Sequence, residues 1–110
     1  MSQALLVLTN LPDASTAQKL ARQLVEQKLA ACVNILPAVQ SVYRWQGAVE
    51  EAVEVTLFIK TMQACYMELQ STILSAHPYQ TPEIIAVAID QGLPAYLDWM
   101  AQETKRDIHV

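Results

Sequence analysis

Glycine is almost missing from this chain: Gly47 and Gly92 are the only two in 110 residues. A loop that cradles phosphate needs several glycines within a few positions, so neither a dinucleotide fingerprint nor a P-loop can be written here. The GxSxG and HExxH signatures are absent as well, and the chain is read as a protein without catalytic activity. Cysteine is as scarce. Cys32 and Cys65 form no CxxC pair and no disulfide framework, which points to a reduced, cytoplasmic setting. Only 16% of residues are charged, and the seven Lys and Arg are scattered against eleven Asp and Glu, for a net charge of −4. Without a basic stripe, nucleic acid is excluded as a partner. No apolar run approaches the roughly 20 residues that span a bilayer, so no membrane partner is expected. The run Ala4–Leu8 is too short for a signal core and follows no Lys or Arg.

Apolar side chains are what the sequence has in excess, at 53%. Its length fits one domain, 1–110, and a domain of that size has much surface for its volume and needs polar cover. This chain has little to offer. Ala4-Leu5-Leu6-Val7-Leu8-Thr9 reads as a strand that is apolar on both faces. Pro12-Asp13 breaks it, and Asp13 or Ser15 can cap a helix, Ser15 and Gln18 having capping-box spacing. Ala17, Leu20, Ala21, Leu24 and Val25 then make one helical stripe.

Ala31–Leu36 reads as a second strand, which Pro37 confines to a sheet edge or a bulge because proline has no N–H for the ladder. Val39–Trp45, a turn at Gln46-Gly47 and a return over Val49–Thr61 make a long hairpin with Tyr43 and Trp45 near its tip. Thr61 can cap a second helix with Cys65, Tyr66, Leu69, Ile73 and Leu74 inward. That helix stops at His77, since the residue before a proline avoids helical angles. Ile84–Asp90 is a wholly apolar strand, expected to be buried. Pro94 opens a last helix lined by Leu93, Tyr96, Leu97 and Met100. The tail from Glu103 to Val110 reads as loosely held.

The order β-α-β-β-α-β plus a terminal helix is that of a ferredoxin-like α+β sandwich, with two helices on one face of a four-stranded antiparallel sheet. Its first and last strands are apolar on the other face too, and the short third helix cannot cover that face. Neighbouring chains must, which predicts a homo-oligomer.

Between the second helix and the last strand, Pro78 and Pro82 stiffen a linker carrying His77, Tyr79 and Glu83. With Cys32, these supply thiolate, imidazole and carboxylate. Thiolate suits Cu(I) and Zn, and imidazole suits Cu(II) and Zn. In a sheet of order 4-1-3-2, however, Cys32 and His77 lie on opposite edges, three spacings of roughly 4.8 Å apart, and at opposite ends. No bond of about 2 Å bridges that within one chain, so a shared ion needs two subunits. The plainer roles are a small buried hydrophobe for Cys32, a helix C-cap for His77 and a charge pair with a neighbour for Glu83. Tyr43 and Trp45 of an adjacent subunit could wall a cleft over His77, Tyr79 and Glu83, or anchor a subunit contact instead. Lys60 pairs with Glu54 across an interface or is solvated. The methionines are packing, and His109 is a chance ligand in the tail.

With these positions placed, the chain resembles the CutA divalent-cation tolerance family. The matching residues are Ala31-Cys32-Val33-Asn34; Ser41, Tyr43, Trp45 and Gly47; Glu54; Lys60-Thr61; His77-Pro78-Tyr79; Pro82-Glu83-Ile84; and Tyr96-Leu97 with Trp99. The resemblance implies a homotrimer similar in architecture to the PII signalling proteins, and a link to tolerance of copper and other divalent cations. It further implies weak binding of such ions, none held tightly, and no established catalysis. Two positions depart from the family pattern. Gln80 stands where an acidic residue is common, and Arg44 where an aromatic is. The metal candidates are thus His77, Cys32 and Glu83, with Tyr43, Trp45, Glu54, Lys60 and Tyr79 around the cleft. The alternative is a PII-like signalling trimer that responds to an organic anion through Lys60 and Arg44, or a purely structural scaffold trimer.

Overall fold

The computed structural model describes residues 3–105. The elements, in chain order, are β1 (Ala4–Leu11), α1 (Ala14–Glu26), β2 (Cys32–Trp45), β3 (Ala48–Met62), α2 (Tyr66–Ala76), β4 (Ile85–Ala88) and α3 (Pro94–Gln102), with a 3-10 turn at Gln63–Cys65. The strands form one antiparallel sheet in the order β2-β3-β1-β4, the ferredoxin-like arrangement expected from the element order.

Local chemistry explains most boundaries. Asp13 caps α1, its Oδ1 accepting from the Thr16 N–H at 2.8 Å, and that backbone bond holds the carboxyl below its ordinary pKa. Asp13, not Ser15, is the capping residue. Pro37 sits in a bulge where the β2–β3 register slips between Leu36 and Val39, with Ala38 at φ 59°. The hairpin then closes on Gln46 and Gly47 at φ 51° and 84°, the pair of positive angles that a tight two-residue turn needs. The protruding hairpin stretches the molecule to 48 Å.

Alternation along β1 and β3 sorts the sheet into two faces. Leu5, Val7, Leu11, Val55, Leu57 and Ile59 point toward α1 and α2, where they pack with Leu20, Leu24, Leu69 and Ile73 in the main core. The other face carries Leu6, Leu8, Phe58, Ile85 and Val87. One end of it is covered by α3, where Ala4, Ala31, Met62 and Met100 make a second small core. The middle has no cover within the described residues: Ile85 is 51% and Val87 53% exposed.

Several expectations change. The Ile84–Asp90 strand, interior by its apolar pattern, is a short edge strand over Ile85–Ala88, exposed along that length because nothing among the described residues lies against its outer side. Thr61 does not cap a helix: β3 continues past it, and its buried hydroxyl donates to the Leu29 carbonyl at 2.6 Å. Val25 and Leu74, at the margins of their stripes, are exposed. The tail is anchored at its start by buried Thr104 and by the Lys105 N–H bonded to the Lys28 carbonyl at 2.7 Å. Its remainder, with His109, lies outside the described residues.

Candidate functional site

Where β1 ends, the helix-to-strand linker folds back over the open face of the sheet. Pro78 forces His77 out of the helix into extended angles (φ −82°, ψ 133°), which turns its ring toward β1. His77 Nε2 lies 2.6 Å from the Asn10 carbonyl oxygen, and Nδ1 lies 3.2 Å from the Tyr79 backbone nitrogen, whose N–H donates to it. A carbonyl only accepts, so Nε2 carries the proton and Nδ1 the lone pair. His77 is buried, and its ring sits 4.7 Å from that of Tyr79. The Tyr79 hydroxyl in turn donates to Glu54 Oε2 at 2.9 Å. Burial, then the bond to Glu54 and its charge, push the phenol up to about 12.

Asn10 is the second hub. Its side-chain oxygen accepts from the Thr56 hydroxyl at 2.5 Å, and its amide makes a long contact to Glu83 Oε1 at 3.5 Å. Between this cluster and the hairpin runs a groove of about 710 Å³. Gln40, Ser41, Val42, Tyr43 and Trp45 form the hairpin side, and Tyr79, Gln80, Thr81 and Glu83 the linker side, with Asn10 and Glu54 also in the lining. Two carboxylates therefore open on one space whose lining contains no Lys or Arg.

The structure brings Tyr43, Trp45, Glu54, Tyr79 and Glu83 together, but not as expected. Tyr43 and Trp45 come from the same chain rather than from an adjacent one, because the hairpin runs alongside its own linker. Cys32 and Lys60 are elsewhere: they face each other across β2 and β3 at the opposite end of the sheet, with Lys60 Nζ 5.7 Å from the Tyr96 ring. Lys60 thus gives the groove no positive charge, and Arg44 is not in the lining, so an organic anion has no counter-charge there. Among the described residues, no three His, Cys, Asp or Glu side chains lie close enough to hold a metal ion. His77 reaches the cluster with both ring nitrogens in use, and would ligate an ion only by releasing Asn10 or Tyr79. What remains in one chain is an oxygen donor set of carboxylates, an amide and a phenol, suited to hard divalent ions more than to copper.

Asn10 and Thr56 escape a reading of the sequence alone. The apolar pattern ends the first strand at Thr9, yet the strand runs to Leu11. The available signal is Asn10 itself, a polar side chain at the end of an apolar strand, two positions beyond Leu8 on the same face.

Comparison with known proteins bears on the same positions. The sequence profile described as CutA1 divalent ion tolerance protein matches residues 5–103. The divalent-cation tolerance protein CutA of Thermus thermophilus is 44% identical over 98 residues, covering 89% of this chain and 95% of that protein. The mouse protein CutA is 43% identical over 94 residues, covering 86% of this chain and 53% of its own length. The chain thus spans nearly all of the bacterial relative and about half of the mouse one. In three dimensions, the solved Thermus thermophilus protein superposes with a TM-score of 0.90 at 42% identity, covering 96% of this chain and 100% of that one. CutA1 from Oryza sativa gives 0.92 at 35% identity, with 96% of each chain covered. Fold and sequence agree along almost the whole length, and on that agreement the chain belongs to the CutA1 divalent ion tolerance family.

Proposed function

We propose that this protein works as a cytoplasmic homotrimer that binds divalent cations weakly, as a buffer or sensor rather than a catalyst, in the groove between hairpin and linker. The observation that carries the reading is the pair of carboxylates, Glu54 and Glu83, opening on one groove without a basic side chain in its lining. Glu83 is exposed and can turn to an ion, while Glu54 is held by Tyr79. Two carboxylates with an amide leave several coordination positions to water, which gives low affinity. Copper tolerance through His77 requires the imidazole to exchange a hydrogen bond for the ion, and Cys32 can join only from another subunit. The bare apolar middle of the open sheet face supports assembly. The unpaired thiols of Cys32 and Cys65 support a reducing compartment.

Isothermal titration of the assembled protein with Cu(II) and with Mn(II) tests this. Saturable heat is expected with both, weakened at least tenfold by Glu83→Gln and, for Cu(II) alone, by His77→Ala. Absence of saturable heat, or identical binding in Glu83→Gln, would sink the metal reading. A second reading, a PII-like trimer that responds to a small molecule, is favoured by the size of the groove. Its volume of about 710 Å³ is that of a small-ligand site and far exceeds one ion.

A further inference from the structure

The charge of the groove and its walls together specify a class of ligand. Glu54 is the decisive residue. It is only 8% exposed, it lines the groove, and its one side-chain hydrogen bond among the described residues is the phenol of Tyr79. No Lys, Arg or His forms an ion pair with it among the described residues. Glu54 and Glu83 put two carboxylates on a space whose lining has no Lys or Arg, and a cleft lined by charge of one sign favours a ligand of the other. The walls narrow the choice. Tyr43, Trp45 and Tyr79 contribute aromatic surface to the same space. A hydrated metal ion, which keeps its water shell, makes no use of those rings. An organic cation does, because the negative face of an aromatic ring attracts an ammonium group while its carbon surface takes up the attached alkyl groups.

We propose that the groove is a receptor for a small organic ammonium compound, its charge set against Glu54 and its alkyl groups against Tyr43 and Trp45. This rests on the reading that the groove is the functional site, and it reverses the sign of the organic-anion alternative. Asn10 on β1 and Glu83 on the linker offer polar contacts to a hydroxyl or a second amine on the same ligand.

Choline serves as the probe, and 3,3-dimethylbutan-1-ol, which replaces its charged nitrogen by carbon, as the neutral control. Both are titrated calorimetrically into the full chain in its native assembly. Choline should bind saturably and the neutral compound should not. Glu54→Gln should weaken choline at least tenfold. Trp45→Leu, at a position 41% exposed and outside the core, should weaken choline severalfold. Equal binding of the two compounds overturns the proposal, as does choline binding that neither substitution weakens. So does failure of choline to bind, as when a Lys or Arg of a second copy already answers Glu54. If choline binds and no divalent ion does, the metal reading falls and this one stands. If a divalent ion binds and choline does not, the ammonium receptor falls and the metal reading stands.

Discussion

Neighbouring residues on one strand of this protein live in different worlds. Leu57 is fully buried under the two long helices, whereas Phe58, one position on, points to the open face and keeps part of its ring in water. The same split runs along β1, where Leu5 and Val7 are buried while Leu6 and Leu8 are only partly covered. Both faces are apolar, yet the chain supplies a complete cover for one of them. On the other, α3 closes one end, the linker with Tyr79 closes the opposite end, and the middle is left bare among the described residues. Burial is thus set by what the chain can lay over a face, not by how apolar that face is. The polar residues collect where the linker, rather than a helix, does the covering: Glu54 and Thr56 are each 8% exposed there.

The contrast is sharpest at Leu57. Leu57→Ala should destabilise the fold by about 2–5 kcal/mol, the usual cost of a core cavity, seen as a lower urea midpoint. Phe58→Ala should cost clearly less at dilutions where the chain is alone, and more as concentration rises and copies cover that face. A cost for Phe58→Ala that is large and independent of concentration would show that the open face needs no second chain. Assembly is tested more directly at Val87, in the middle of the exposed edge strand. A lysine placed there by Val87→Lys should reduce the sedimenting species to a single chain of 12.2 kDa while the far-ultraviolet spectrum persists. An unchanged mass would place any subunit contact elsewhere.

Much of the fold is legible in the sequence because it rests on local rules. The helical stripe from Ala17 to Leu24, the stop before Pro78, the bulge at Pro37 and the turn at Gln46-Gly47 each follow from one residue's geometry or from one period. The failures share a cause. Apolar runs report that a strand should be covered, and say nothing about who covers it, so Ile85–Ala88 has the pattern of an interior strand and is a bare edge. Thr61 looks like a helix cap in sequence, but the buried Leu29 carbonyl claims its hydroxyl. At the site, the stiff linker and the aromatic hairpin can be picked out by residue type. Their meeting within a single chain cannot, since it depends on how far the hairpin bends over the sheet. Charge alone associates Lys60 with the same neighbourhood, and register puts it at the other end.

Tyr79 offers the finest test of the polar end of the open face, because its contribution has a pH signature that a packing contact lacks. The phenol donates to Glu54, and its pKa is raised from 10.0 to about 12, first by burial and then by that carboxylate. A raised pKa in the folded state means that the stabilisation is fully present below the unfolded value and lost as pH climbs through the folded one. Tyr79→Phe should therefore lower stability by about 1 kcal/mol, the worth of an ordinary hydrogen bond at a half-buried position, at every pH below about 10. From there up to about 12 the gap to the parent protein should close, since a phenolate facing Glu54 repels where the phenol attracted. Urea midpoints for both proteins, followed from neutral pH to about one unit above the ordinary tyrosine value, decide it. No gap at any pH over that range would mean that Tyr79 acts through its ring against His77 alone. Glu54 would then be held by nothing among the described residues.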